Sequence, residues 1–259
     1  MNKRLALPGF LLAFILAACT ALPTLPGITP SGDTPSATSP EPTVVIPPTS
    51  TPVPTPIPPV RISAGDLSLF NGDYEQANAE YQSAYYSTGN PEIRAAALYG
   101  LGRTNFEDEN YNLLVLNPLR ELVANYTDSS YAPAAYILMG KTYDELMRYS
   151  EAAEAYAAYL TLQPGILDAY VQEWRGDSLW NAGDPSGAID AYQAALAAPR
   201  TGDRTSLEIK IARAYLAAGD AATALNRYAE IAARSSDDYI KAQMDFLSGQ
   251  LYLNLGQPD

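Results

Sequence analysis

A small residue returns every 36 to 38 positions along most of this chain, and that period limits the fold more than any other feature. The marks are Gly65, Gly102, Gly140, Gly176, Ala212 and Gly249, separated by 37, 38, 36, 36 and 37 residues. Seven positions after them stand Gly72, Glu109, Met147, Gly183, Gly219 and Gly256. Twelve positions after come Ala77, Leu114, Ala152, Ala188 and Ala224; sixteen after come Tyr81, Pro118, Tyr156, Tyr192 and Tyr228. A fixed period of this length means stacked supersecondary units, each burying its apolar face only against its neighbours.

Each position has a mechanical role. Apolar spacing such as Leu207, Ile211, Ala212 and Tyr215 is helical rather than strand-like. The small mark and the alanine twelve later let two antiparallel helices approach closely, while the tyrosine fills space toward the next pair. The glycine between them suits a left-handed cap that ends the first helix. The units are therefore helix hairpins. The second unit departs from the pattern at Glu109, Leu114 and Pro118. A proline inside a helix costs about 3 kcal/mol, so Asn117-Pro118 is expected to cap and begin a restarted helix after a kink or break.

The pattern of small residue, glycine, alanine and tyrosine resembles the tetratricopeptide repeat across residues 61–259, with five copies and the first helix of a sixth. The segment "NYTDSSYAPAAYILMG" is similar to the junctions of bacterial envelope members, with Thr127 where a proline is usual. The resemblance implies an all-α fold, a right-handed superhelix of antiparallel helix pairs. In the sixth unit Asp259 falls where a second helix begins, and Met244, Phe246, Leu247, Leu251, Tyr252, Leu253 and Leu255 are too apolar for a solvated cap. The array is expected to be truncated at residue 259 and to continue beyond it; a solvated final helix is the alternative.

Ahead of the repeats the composition changes twice. The head "MNKRLALPGFLLAFILAACT" has a basic start at Lys3 and Arg4, then about 14 mostly apolar residues, fewer than the roughly 20 that span a bilayer. It reads as an export signal, residues 1–18. The residues "LAAC" resemble the lipobox of bacterial lipoproteins, which implies cleavage before Cys19 and lipidation of that cysteine; an ordinary secretory cleavage with Cys19 incidental is the other reading. Cys19 is the only cysteine, so no disulfide supports the fold. Of the 21 prolines, 13 lie between residues 20 and 60, where Asp33 and Glu41 are the only charges. Such a segment cannot offset its ordering entropy, and residues 19–60 are expected to form a disordered Pro/Thr/Ser-rich tether reaching roughly 100 Å or more.

Several kinds of chemistry are excluded. The chain has no histidine, which removes Ser-His-Asp and Cys-His arrangements and His-based zinc sites. Its "GD" and "GQ" pairs at Gly72, Gly183, Gly219 and Gly256 fall in hairpin turns rather than in a phosphate-cradling loop. The tightest acidic run, "FEDEN", sits at such a turn and reads as a solvated loop. Residues 61–259 carry 14 Lys and Arg against 27 Asp and Glu, without a basic stripe, so nucleic acid is not an expected partner. No catalytic site, metal or cofactor is expected in these 259 residues.

What remains is a surface. In tetratricopeptide arrays the first helix of each pair lines the groove, and the resemblance carries its slots onto this chain. Unit two supplies Ala96, Tyr99, Arg103 and Phe106; unit three Ala134, Ile137, Lys141 and Asp144. Unit four supplies Tyr170, Glu173, Asp177 and Trp180; unit five Ser206, Ile209, Arg213 and Leu216. Candidate binding residues are Tyr99, Arg103, Phe106, Lys141, Tyr170, Glu173, Asp177, Trp180 and Arg213, with Tyr170 and Trp180 as aromatic anchors. The expected function is a non-catalytic, membrane-tethered scaffold of the bacterial cell envelope, exported and held by its N-terminal lipid, with envelope proteins or peptidoglycan-associated machinery as partners. The phrases "DAYVQEWRGDSL" and "DYIKAQMDFLSGQLYL" also resemble the N-terminal superhelix of soluble lytic murein transglycosylases. That resemblance implies a glycan-cleaving domain beyond residue 259, because this chain has no Glu-Ser motif.

Overall fold

The computed structural model describes residues 55–165, 167–199 and 204–256. The expected signal peptide, Cys19 and the tether as far as residue 54 lie outside them. Among the described residues there are eleven helices and no strand: α1 (Pro58–Phe70), α2 (Tyr74–Tyr86), α3 (Pro91–Glu107), α4 (Leu113–Asn125), α5 (Ala132–Glu145), α6 (Tyr149–Leu162), α7 (Asp168–Asn181), α8 (Pro185–Ala197), α9 (Thr205–Ala217), α10 (Ala221–Arg234) and α11 (Asp238–Asn254). Each helix packs on the next in sequence, and α1 also touches α3 as α3 touches α5. The odd helices thus approach one another across a pair, and the face they share is called the inner face below.

The first helix starts at Pro58, earlier than the composition change at Arg61 suggests. Pro58 and Pro59 occupy its first turn, where a missing N–H breaks no helical bond. The proline-rich segment therefore supplies the start of the repeat array.

The turn inside each hairpin is built by one backbone device. Gly72, Gly183 and Gly219 have φ of 75°, 80° and 88°, and Glu109 and Met147 adopt the same left-handed conformation at 56° and 55°. In the first hairpin Gly72 N–H donates to Leu69 O at 3.0 Å and Asp73 N–H to Ser68 O at 2.9 Å, closing the end of α1. The same bond pair recurs at the ends of α3, α5, α7 and α9. After three of these glycines comes an aspartate that caps the following helix: Asp73 accepts from Gln76 N–H, Asp184 from Gly187 N–H and Asp220 from Thr223 N–H. A "GD" dipeptide thus ends one helix and starts the next.

On three of the glycine marks, Gly65, Gly140 and Gly176, an aromatic ring lies where a Cβ would stand. A Cβ added at Gly140 would stand 2.5 Å from Tyr156, and at Gly176 2.4 Å from Tyr192. Tyr81 covers Gly65 at 2.7 Å and also Gly100 on the next pair at 2.4 Å. Tyr81, Tyr156, Tyr192 and Tyr228 are all within 2% of complete burial, so each ring has no room to retreat. Gly249 on α11 has open space where the other marks carry a side chain.

The second unit differs from expectation. No restart occurs at Asn117-Pro118: α4 runs unbroken from Leu113 to Asn125 with Pro118 inside it. Asn112 is the cap, accepting from Leu114 N–H at 2.7 Å, which leaves Asn117 no capping task. Pro118 is the sixth residue of α4, so one early carbonyl loses its partner, and burial of Val115, Leu116, Leu119 and Leu122 compensates. The turn before α4 is longer than the others, which moves the pattern forward by one residue. Val115, fully buried, takes the alanine position while Leu114 is 56% exposed. Leu119 takes the tyrosine position and would meet a Cβ on Gly102 at 2.6 Å.

Two substitutions test this frame. Gly176→Ala drives a methyl into the immobile Tyr192 ring and is expected to cost about 1–3 kcal/mol in urea unfolding. Met147→Gly relieves a left-handed residue whose side chain is exposed and is expected to add about 1 kcal/mol by the same measurement.

Candidate functional site

In three units the ring that covers the mark also carries a hydroxyl that bonds an aspartate. Tyr81 donates to Asp66 Oδ1 and Tyr192 to Asp177 Oδ1, both at 2.7 Å, and both aspartates directly follow a mark. In the third unit Lys141 occupies that place, and Tyr156 donates instead to Asp144 Oδ2 at 2.9 Å. The other Asp144 oxygen accepts from Ser178 on α7 at 2.7 Å, joining two units. Burial raises the pKa of Asp144, and the bonds from Ser178 and Tyr156 hold it back. Burial and the neighbouring carboxylate raise Tyr156 and Tyr192 far above the ordinary phenol value, so both remain hydrogen-bond donors at any physiological pH.

Between α7 and α9 the polar ladder meets a hydrophobic opening. Lys210 on α9 reaches back to α7, donating to Glu173 Oε1 at 3.0 Å and to Asp177 at 2.8 Å. Burial pulls its pKa down, but the two carboxylates outweigh that and leave it above the ordinary lysine value. Beside this cluster lies a cavity of about 510 Å³ lined by Asp177, Trp180, Tyr192, Lys210, Arg213, Leu216 and Ala217. Trp180 is 39% and Leu216 38% exposed, each four positions after its mark on neighbouring odd helices. An aromatic and an aliphatic side chain thus line one opening, flanked by the Lys210, Glu173 and Asp177 cluster and by Arg213, which pairs with no carboxylate among the described residues.

The other candidates are placed differently. Tyr99 is half-buried with its ring 5.8 Å from that of Tyr131, and Phe106 packs edge-on against Tyr111 at 5.1 Å. Both are largely engaged in packing between α3 and its neighbours. Arg103 is exposed and close enough to Tyr81 and Tyr99 to lower the pKa of both hydroxyls against the rise that burial imposes. Lys141 lies over the Trp174 ring at 5.0 Å, Tyr170 is half-buried, and Glu173 is held by Lys210. Of the nine, Asp177, Trp180 and Arg213 line one cavity, with Glu173 joined to it through Lys210. Lys210, Tyr192 and Ala217 were not among the sequence candidates. Lys210 stands two positions before its mark, outside the groove slots, and only the distance between α7 and α9 makes it a partner of Glu173.

Comparison with known proteins places this geometry. Residues 137–203 and 209–259 match the family model described as tetratricopeptide repeat. Among solved structures, the MamA protein is similar at 19% identity and a TM-score of 0.54, covering 67% of this chain and 89% of its own. BtubC from P. vanneervenii is similar at 17% identity and a TM-score of 0.53, covering 72% of this chain and 84% of its own. At these identities the likeness concerns the fold. No curated protein matches significantly. Residues 137–203 and 209–259 thus match tetratricopeptide repeats, and the described residues have the fold of an all-α repeat scaffold.

The Lys210 cluster yields a direct test. Lys210→Met leaves Glu173 and Asp177 side by side without a counter-charge and is expected to cost about 1 kcal/mol after solvent screening. Adding Asp177→Asn should recover part of that loss in a double-mutant cycle of unfolding free energies.

Proposed function

We propose that this chain is a non-catalytic, membrane-tethered scaffold of the bacterial cell envelope that binds a protein partner along the inner face of its repeats. The observation that carries the binding half is the juxtaposition of exposed Trp180 and Leu216 over a cavity of about 510 Å³. Aromatic side chains with part of their surface open are favoured anchors, because they bury much apolar area at small entropic cost. Lys210 pairs with the two carboxylates nearest them, Glu173 and Asp177, and offsets one of their two charges. The tethering half is supported by the basic head, the short apolar run and "LAAC" ahead of Cys19. Stable anchoring requires at least two acyl chains, which a lipidated N-terminal cysteine would supply.

Both halves are separately measurable. In a bacterial host fed an alkyne-bearing fatty acid, the chain is expected to take up label and sediment with membranes, and Cys19→Ser to lose both. An unlabelled, soluble wild-type chain rejects the tether. Crosslinked envelope partners are expected to fall at least tenfold in Trp180→Ala and less in Tyr170→Ala, with the melting temperature unchanged. Partners retained in full by both variants would make these aromatics structural only. Capture of peptidoglycan glycan in place of protein would favour the arm of a lytic transglycosylase.

A further inference from the structure

The last helix, α11, buries one face and leaves the opposite one open. Ile240, Met244, Leu247 and Leu251 turn toward the apolar cluster around Tyr228. On the other side Tyr239, Phe246 and Leu253 are 75%, 63% and 64% exposed, and Ala242 and Gly249 lie exposed between them. Steps of three and four residues join these five positions into one continuous seam. Large and small residues alternate along it. Nothing lies within 4 Å of where a Cβ on Gly249 would stand, whereas a ring fills that place on Gly65, Gly140 and Gly176. A mark built like the others thus lacks the bulky side chain that they receive.

An alternation of this kind fits itself when reversed. Consider two copies of α11 laid antiparallel about a two-fold axis between Leu247 and Ser248. Phe246 of each copy then sits on Gly249 of the other, Leu253 on Ala242, and Tyr239 beside Gly256. A parallel pair would oppose Phe246 to Phe246 and Gly249 to Gly249, crowding one layer and leaving a void in the next. The flanks agree with the reversed pairing. Asp245 comes beside the half-open Tyr252, whose hydroxyl can donate to it, and Gln243 comes beside Gln250. Residues 238–254 carry only Asp238, Lys241 and Asp245 as charges, and Lys241 pairs with Asp238 inside its own helix. No like charges meet across the axis, in a chain whose net charge is −13.

We infer that the open face of α11 is a homodimer interface, on which a second copy of this chain packs antiparallel with its Phe246 on Gly249. The second copy supplies the ring that this mark lacks, as Tyr156 does for Gly140 within one chain. The 17 residues of α11 span about 25 Å, short for a permanent interface, so the dimer is reversible in the micromolar range. This surface is separate from the groove between α7 and α9 and does not depend on what that groove binds.

The test uses the purified full chain carrying Cys19→Ser, which removes the only thiol and the predicted lipid site. Sedimentation equilibrium is expected to show monomers joining into dimers as concentration rises from low to high micromolar. Phe246→Ala should weaken association about tenfold or more. Gly249→Glu should abolish it, because two carboxylates then meet near the axis. Its melting temperature should stay level or rise, since the new side chain has open space and glycine is a poor helix former. Orientation is read from disulfides: Gln243→Cys and Gln250→Cys chains carrying different tags are mixed and mildly oxidised, and cross-tag dimers are expected in excess over same-tag ones. A single-copy mass at every concentration, association that survives Gly249→Glu, or same-tag disulfides in excess overturns the inference. Masses beyond a dimer also overturn it, pointing instead to head-to-tail stacking on the exposed Val60, Leu67 and Phe70 of α1.

Discussion

Four of the five complete hairpins in this stack depend on a bulky side chain pressed against a helix backbone that has no Cβ to oppose it, and the fifth carries Ala212 at its mark. Tyr156 on Gly140 and Tyr192 on Gly176 bring their helices to a separation that an alanine at the mark would obstruct. The contact is short-range and steep, so it fixes helix spacing more sharply than general apolar burial does. Because the ring is buried and its hydroxyl must still find a partner, the same contact also dictates polar chemistry at the inner surface. Packing and surface charge are thus coupled through a single residue type.

That coupling explains why the inner face is not uniform. Where the residue after the mark is an aspartate, as at Asp66 and Asp177, the tyrosine hydroxyl consumes it. Where it is a cation, as at Lys141 and Arg213, the hydroxyl must look elsewhere. Tyr156 finds Asp144; among the described residues Tyr228 finds no carboxylate. One choice of residue therefore determines whether the tyrosine hydroxyl is satisfied within its own unit. The cavity beside Arg213 is edged by exposed apolar surface at Trp180 and Leu216.

The second unit shows how tolerant the arrangement is of sequence change when geometry is kept. Glu109 accepts a left-handed conformation that glycine adopts elsewhere, and a longer turn advances α4 by one residue. Leu119 then covers Gly102 as the tyrosines cover other marks. The cost of Pro118 in the helix is met by four buried aliphatic residues on the same face. Comparing fixed positions alone makes this unit look broken; allowing one residue of slip restores the pattern.

The period of 36 to 38 residues determined the helix hairpins, their number among the described residues and their turns, because each recurring residue answers a local steric demand. A left-handed turn wants glycine, and a close helix crossing wants no Cβ. The groove slots were legible for the same reason: a helix face follows from register. Register says nothing about distance between units, so Lys210 and its hold on Glu173 and Asp177 appeared only in three dimensions. Nor does it separate Tyr99 and Phe106, drawn into aromatic packing, from Trp180, left open. Tertiary structure decided which candidates were already spent on one another and which, like Arg213, meet no carboxylate among the described residues. Pairing depends on the angstroms between side chains that lie dozens of residues apart.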